Sequence, residues 1–147
     1  MSVRIQPEDF DIAAELTALS DGHDDIGALV TFTGLVRGSD ITALTLEHYP
    51  GMTERALQKI EAEANARWPL KATLILHRTG RLHPGANIVL VAAASSTRQS
   101  AFDAAAFLMD YLKTDAPFWK REEKSDGTAT WLDARETDGT AKARWIR

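Results

Sequence analysis

Cysteine is absent from the 147 residues of this chain, which excludes disulfides, thiolate metal sites and a cysteine nucleophile. Any sulfur chemistry the chain takes part in needs a sulfur atom brought by another molecule. An excess of positive charge is also missing: 17 Lys and Arg stand against 21 Asp and Glu, for a formal charge of −4. General nucleic-acid binding needs several cations to displace phosphate counterions, so no nucleic-acid partner is expected, although local basic patches are compatible with this balance. Long apolar runs are lacking too. The longest, Ile88 to Ala94, is far below the roughly 18 residues of a membrane span, and Met1-Ser2-Val3-Arg4 has no signal-peptide core. The expectation is a cytoplasmic chain with no membrane partner. There is no phosphate-binding loop ending in Gly-Lys-Ser/Thr and no dinucleotide fingerprint. His23, His48, His77 and His83 are scattered rather than set at ligand spacing, so no metal or cofactor is expected and these histidines read as structural or surface groups. Ser95 and Ser96 close a strand without the glycines of a nucleophile elbow.

What is present is an ordinary globular balance of 44% hydrophobic and 26% charged residues, enough for one core and one domain over residues 1–147. Glu8 to Leu19 carries Phe10, Ala13, Ala14 and Leu16 at near-helical spacing. Gly27 to Thr33 is apolar and β-branched as a buried strand is, and Ile41 to His48 forms a second strand ended by Pro50-Gly51. Met52 to Trp68 places Ala56, Leu57, Ile60 and Ala64 on one helical side. Lys71 to His77 and Asn87 to Ala94 add two strands, and Gln99 to Lys113 is a helix apolar on most sides, hence deeply buried. Phe118 to Glu123 and Thr128 to Ala134 flank an Asp126-Gly127 turn, a hairpin signal. The polar tail from Glu136 to Arg147 reads as loose. The order implies an α+β fold, a mostly antiparallel sheet with packed helices and a C-terminal β-hairpin.

Basic residues at element ends are the candidate site. Arg37 follows the first strand, Arg98 stands at the head of the long helix and Lys113 at its end. A helix N-terminus favours anions, so Arg98 there completes a phosphate or carboxylate site or else pairs with a nearby acid. Lys113 similarly either faces a site or pairs with Asp110 one turn earlier. Strand alternation puts Lys120 and Glu122 on one face and Trp119, Arg121 and Glu123 on the other. A lysine beside a carboxylate shuttles protons, or forms a solvated cross-strand pair. Trp119 and Trp131 read as core or interface residues.

Four ordered blocks resemble the large, catalytic subunit of molybdopterin synthase, the MoaE family. They are Gly27 to Arg37, Leu44 to Thr53, His77-Arg78-Thr79-Gly80 with Pro84-Gly85, and Met109 to Lys113 running into Ala116-Pro117-Phe118-Trp119-Lys120-Arg121-Glu122. The resemblance covers roughly Gly27 to Arg135. It implies an α+β fold that dimerises, as a homodimer within a heterotetramer. Each copy receives the tail of a small ubiquitin-like sulfur-carrier subunit ending in a Gly-Gly thiocarboxylate. The implied reaction turns cyclic pyranopterin monophosphate into molybdopterin with its two dithiolene sulfurs. By the same resemblance Lys120 and Lys113 are the catalytic lysines, Arg37, Arg98 and Arg135 bind the anionic substrate, and Glu122 falls on the acidic position after the second lysine. Where the family often has a histidine before the arginine at the head of the long helix, this chain has Thr97. A hydroxyl hydrogen-bonds a phosphate oxygen but is no base near neutral pH, so Thr97 is a contact only. A docking module for a ubiquitin-like tail and a phosphate-ligand sensor are the rival readings, and activity after loss of the lysines separates them from the enzyme.

Overall fold

A computed structural model describes residues 2–132 and 136–146, with the backbone alone for 136–139. Along the chain it contains β1 (Ser2–Gln6), α1 (Ile12–Ser20), β2 (Ala28–Leu35), β3 (Ile41–His48), α2 (Met52–Arg67), β4 (Leu70–Arg78), β5 (Gly80–Leu82), β6 (Asn87–Ser95), α3 (Arg98–Asp115), β7 (Phe118–Lys124), β8 (Ala129–Leu132) and α4 (Glu136–Ala143). The α+β reading holds, and the strands divide between two four-stranded sheets of order β1-β4-β6-β2 and β5-β3-β7-β8. Among the described residues only β1 and β4 pair in parallel. No helix among them is long and apolar enough to cross a membrane.

Alternation along β4 and β6 explains the layering of the first sheet. Leu74, Leu76, Leu90 and Ala92 point to one face, where Phe10, Ile12, Leu16 and Leu19 of α1 and its approach cover them. Ile75, Val89 and Val91 point to the other, against Leu57, Ile60 and Ala64 of α2 and Phe107, Leu108 and Leu112 of α3. Helix α3 is the most buried of the helices: Ala101, Ala104, Phe107 and Leu108 have no measurable exposure, as a helix apolar on most sides requires.

Several boundaries differ from the sequence expectation for identifiable reasons. The first helix begins at Ile12 rather than Glu8 because the Asp11 carboxylate accepts a hydrogen bond from Ala14 N at 3.1 Å and caps it there. Strands β1 and β5 are too short for their alternation to stand out. The C-terminal tail is not loose, since it forms α4 and then buries Trp145. That indole stands edge-on to Trp68 at 5.6 Å and Phe107 at 5.7 Å, and its Nε1 donates to Asp110 Oδ2 at 2.6 Å. Arg144 donates to the same oxygen, and Arg67 Nη1 donates to Trp145 O at 2.7 Å. Trp119 and Trp131 are 42% and 52% exposed and belong to no core of this chain.

Trp145→Ala removes a large aromatic from a packed site and leaves Asp110 without its indole donor, so it should cost about 3–5 kcal/mol. Urea unfolding measures this, and a loss below ~1 kcal/mol would show the tail to be dispensable to the core.

Candidate active site

The two sheets meet beside the C-terminal end of α3, and a cavity of about 510 Å³ opens there. Each polar side chain in its wall arrives by a different local device. Strand β2 bends at a register shift between Gly34 and Leu35, and such bulges re-aim the chain. Gly34 is required at this bend, because a Cβ would stand 2.8 Å from Val89 Cγ1. The segment beyond is then pinned by Val36 N donating to Ala86 O at 3.0 Å and Gly85 N donating to Val36 O at 2.9 Å. Arg37 follows directly and reaches the cavity.

Lys113 comes from the last turn of α3. Asp110 is engaged by Arg144 and Trp145, so the alternative pairing of Lys113 with Asp110 is not what the fold adopts, and Lys113 lines the cavity. Lys120 and Glu122 come from β7, where the register Leu44↔Glu122, Leu46↔Lys120 and His48↔Phe118 puts them on the face shared with two buried leucines. The expected alternation therefore holds, with Trp119, Arg121 and Glu123 on the other face. Phe32, Leu35, Ile41, Ile88 and Leu112 supply apolar wall. An anion with an apolar body suits such a surface: the walls exclude water from that body and the three cations attract its charge more strongly than they would in bulk solvent.

The structure thus brings together Arg37, Lys113, Lys120 and Glu122. Thr97 and Arg98 are not with them. They stand exposed at the opposite end of α3, and 15 residues at about 1.5 Å rise put Arg98 roughly 22 Å along the axis from Lys113. Arg98 makes no ion pair among the described residues, and Thr97 makes no side-chain cap to the helix. Arg135 lies outside the described residues.

One wall residue was not singled out for the site from the sequence. His77 ends the buried face of β4, 3% exposed, with its ring stacked 3.8 Å from that of Phe118 at an angle of 16°. Its Nδ1 lies 2.8 Å from Arg78 O, so the nitrogen facing that carbonyl carries the hydrogen and donates. Burial, against this bond and with Lys120, Lys113 and His48 nearby, pushes its pKa down to about 3. The available signal was register: Thr73, Ile75 and His77 share one face of a strand whose other side chains there are buried, which marks a polar ring facing inward.

A family model described as MoaE protein matches residues 5–115. The chain is 55% identical over 147 residues to the molybdopterin synthase catalytic subunit of Mesorhizobium japonicum, covering 98% of this chain and 92% of that one. It is 54% identical over 150 residues to the protein of the same name from Rhizobium meliloti, covering 100% and 97%. Among solved structures it is similar to the molybdopterin biosynthesis MoaE protein from Burkholderia ambifaria MC40-6, with a TM-score of 0.85 and 54% identity over 99% of this chain and 98% of that one.

Burial of a neutral His77 has a consequence for stability. Above pH 6.5 the ring is neutral in both folded and unfolded chains, and the burial carries no proton-linked cost. As pH falls through 6.5 the unfolded chain gains a proton that the folded ring takes up only near pH 3, so stability is lost across that window. Wild type should lose about 1.4 kcal/mol per pH unit more than His77→Gln between about pH 6 and pH 4. Urea unfolding across that range gives the slopes, and equal slopes would mean that His77 is already charged in the fold.

Proposed function

The chain belongs to the MoaE protein family, and from that membership and the cation-lined cavity we propose that it is the catalytic subunit of molybdopterin synthase, acting in the cytoplasm. The single observation that carries the chemical reading is the gathering of Arg37, Lys113 and Lys120 in one apolar-walled cavity. The substrate is cyclic pyranopterin monophosphate. The sulfur comes from the C-terminal thiocarboxylate of a small ubiquitin-like subunit, because a chain without cysteine has no thiol of its own to give. A Gly-Gly tail has no side chains to obstruct its passage into a narrow cavity. Residues 1–147 act as one catalytic domain.

In this reading Arg37 holds the phosphate, the apolar wall holds the pterin, and Glu122 accepts hydrogen bonds from its N–H groups. Lys120, helped by Lys113, promotes attack of the thiocarboxylate sulfur on the precursor, and the fixed cations stabilise the negative charge that develops. Arg135 is a further substrate contact. Arg98 and Thr97 contact the substrate from a second copy of the chain, since the length of α3 separates them from the lysines of their own copy. That arrangement makes the active enzyme a homodimer carrying two small subunits. Phe32, Leu35, Trp131 and Leu132, all exposed large apolar groups, provide surface for these contacts.

Two experiments test the assignment. In single-turnover product formation with excess thiocarboxylated partner, Lys120→Arg keeps a positive charge but stays protonated. It should be nearly as inactive as Lys120→Ala, and Lys113→Arg should retain more activity. Partner affinity, determined separately, distinguishes a docking defect from a chemical one. Lys120→Arg at close to the wild-type rate would reduce Lys120 to an electrostatic contact. Mixing Arg98→Ala chains with Lys120→Ala chains should regenerate activity, because a hybrid dimer contains one site with both groups. Inactivity of a mixture proven to contain hybrid dimers would place Arg98 outside the site.

A further inference from the structure

His77 is the wall residue for which the proposed reaction has as yet no use, and its surroundings specify what it offers. The ring is held by stacking on Phe118 and by the Nδ1–H bond to Arg78 O. A ring that donates from Nδ1 and stays neutral keeps a lone pair on Nε2. His77 lines the cavity, and among the described residues no side-chain nitrogen is both sealed from solvent and unpartnered. Nε2 therefore opens toward the cavity. The titratable groups that share the cavity or act on the ring are Lys120 and Glu122 from β7, Lys113 from α3, Arg37 beyond β2 and His48 from β3. Its register neighbours on β1 and β6 are the apolar Ile5 and Val89. Along β7, Phe118 and Lys120 are two residues apart on one face, so the side chain next to the stacked ring is that of Lys120.

We propose that His77 is a positioning residue for Lys120, its Nε2 accepting an N–H from the lysine and so fixing where the lysine's nitrogen points in the cavity. This role deepens the sulfur-transfer reading and rests on it for its kinetic consequence. An acceptor suits both protonation states of the lysine. The ammonium gives one of its three protons to Nε2, and the free amine gives one of its two, which leaves the amine lone pair directed away from the ring and toward the substrate. An imidazolium would have no lone pair to offer and would add a fourth positive charge to the wall. The deep burial of His77 and its carbonyl partner are what keep the ring in the useful form.

Three readouts test the role. Nitrogen-15 NMR of the histidine-labelled chain should show a neutral Nδ1–H ring for His77 between about pH 5.5 and pH 8, and an imidazolium or an Nε2–H ring in that range would overturn the proposal. His77→Leu keeps an apolar contact with Phe118 but has no acceptor. With the thiocarboxylated partner it should lower kcat about tenfold or more while changing precursor KM and partner affinity by no more than about twofold. His77→Gln, which regains an acceptor oxygen, should recover most of the rate. A bond accepted from the ammonium favours the charged lysine, so the pH limb belonging to the lysines should move to lower pH in His77→Leu and return in His77→Gln. Wild-type kcat and pH profile in His77→Leu, or a folded His77→Gln as slow as the leucine variant, would overturn the proposal. If wild type forms no dithiolene at all, the sulfur-transfer reading falls. The pH dependence of Lys120 acylation by a small reagent, read by mass spectrometry, then decides: a shift to lower pH in His77→Leu supports the contact and an unchanged curve overturns it.

Discussion

Gathering Arg37, Lys113 and Lys120 in one wall with the carboxylate of Glu122 is the constraint that the architecture has to meet. Three cations on flexible stems would turn away from one another into solvent, and an apolar wall between them strengthens the repulsion by excluding water. Each is instead attached to backbone that is pinned elsewhere. Arg37 follows a bulge locked to Ala86 and Gly85. Lys113 ends a helix whose buried face is filled by Phe107, Leu108 and Leu112. Lys120 is paired in register with the buried Leu46. The core thus fixes the backbone from which each cation reaches the cavity.

The C-terminal segment and the sheet junction complete that support. Asp110 stands one turn before Lys113, and its carboxylate is occupied by Arg144 and Trp145, which leaves the lysine to the cavity. Lys142 donates to Asp115 at 2.6 Å and ties α4 to the end of the same helix. At the junction, the stacked rings of His77 and Phe118 join β4 of one sheet to β7 of the other. This aromatic contact couples the sheet that forms the main core to the strand that presents Lys120 and Glu122, and Phe118 also packs against that core.

Much of this was legible in the sequence, and the failures follow a pattern. The β3 boundaries and the two faces of β7 were readable because alternation over seven or eight residues has one consistent solution. The burial of α3 was readable from the narrow polar stripe, Asp103, Asp110 and Lys113, left on an otherwise apolar stretch. Lys113, Lys120, Arg37 and Glu122 emerged from their positions at element ends and from the resemblance, and the fold gathers them. What pattern could not give was anything depending on partners distant in sequence. The tail reads as polar, yet Trp145 is buried by Trp68 and Phe107, residues 77 and 38 positions earlier. His77 reads as one scattered histidine until Phe118 and the lysines are placed around it. Arg98 sits at an anion-favouring helix N-terminus by local criteria, and the length of α3 separates it from the lysines at the other end.

The central claim is that this cavity is where sulfur leaves the partner's thiocarboxylate for the precursor. Isotope tracing tests it most directly. The chain is incubated with cyclic pyranopterin monophosphate and partner whose thiocarboxylate carries sulfur-34, in the presence of unlabelled sulfide, and the dithiolene product is analysed by mass spectrometry. Both sulfurs of the product should be heavy. Product carrying unlabelled sulfur, or heavy product formed equally well by a chain lacking both Lys113 and Lys120, would contradict it.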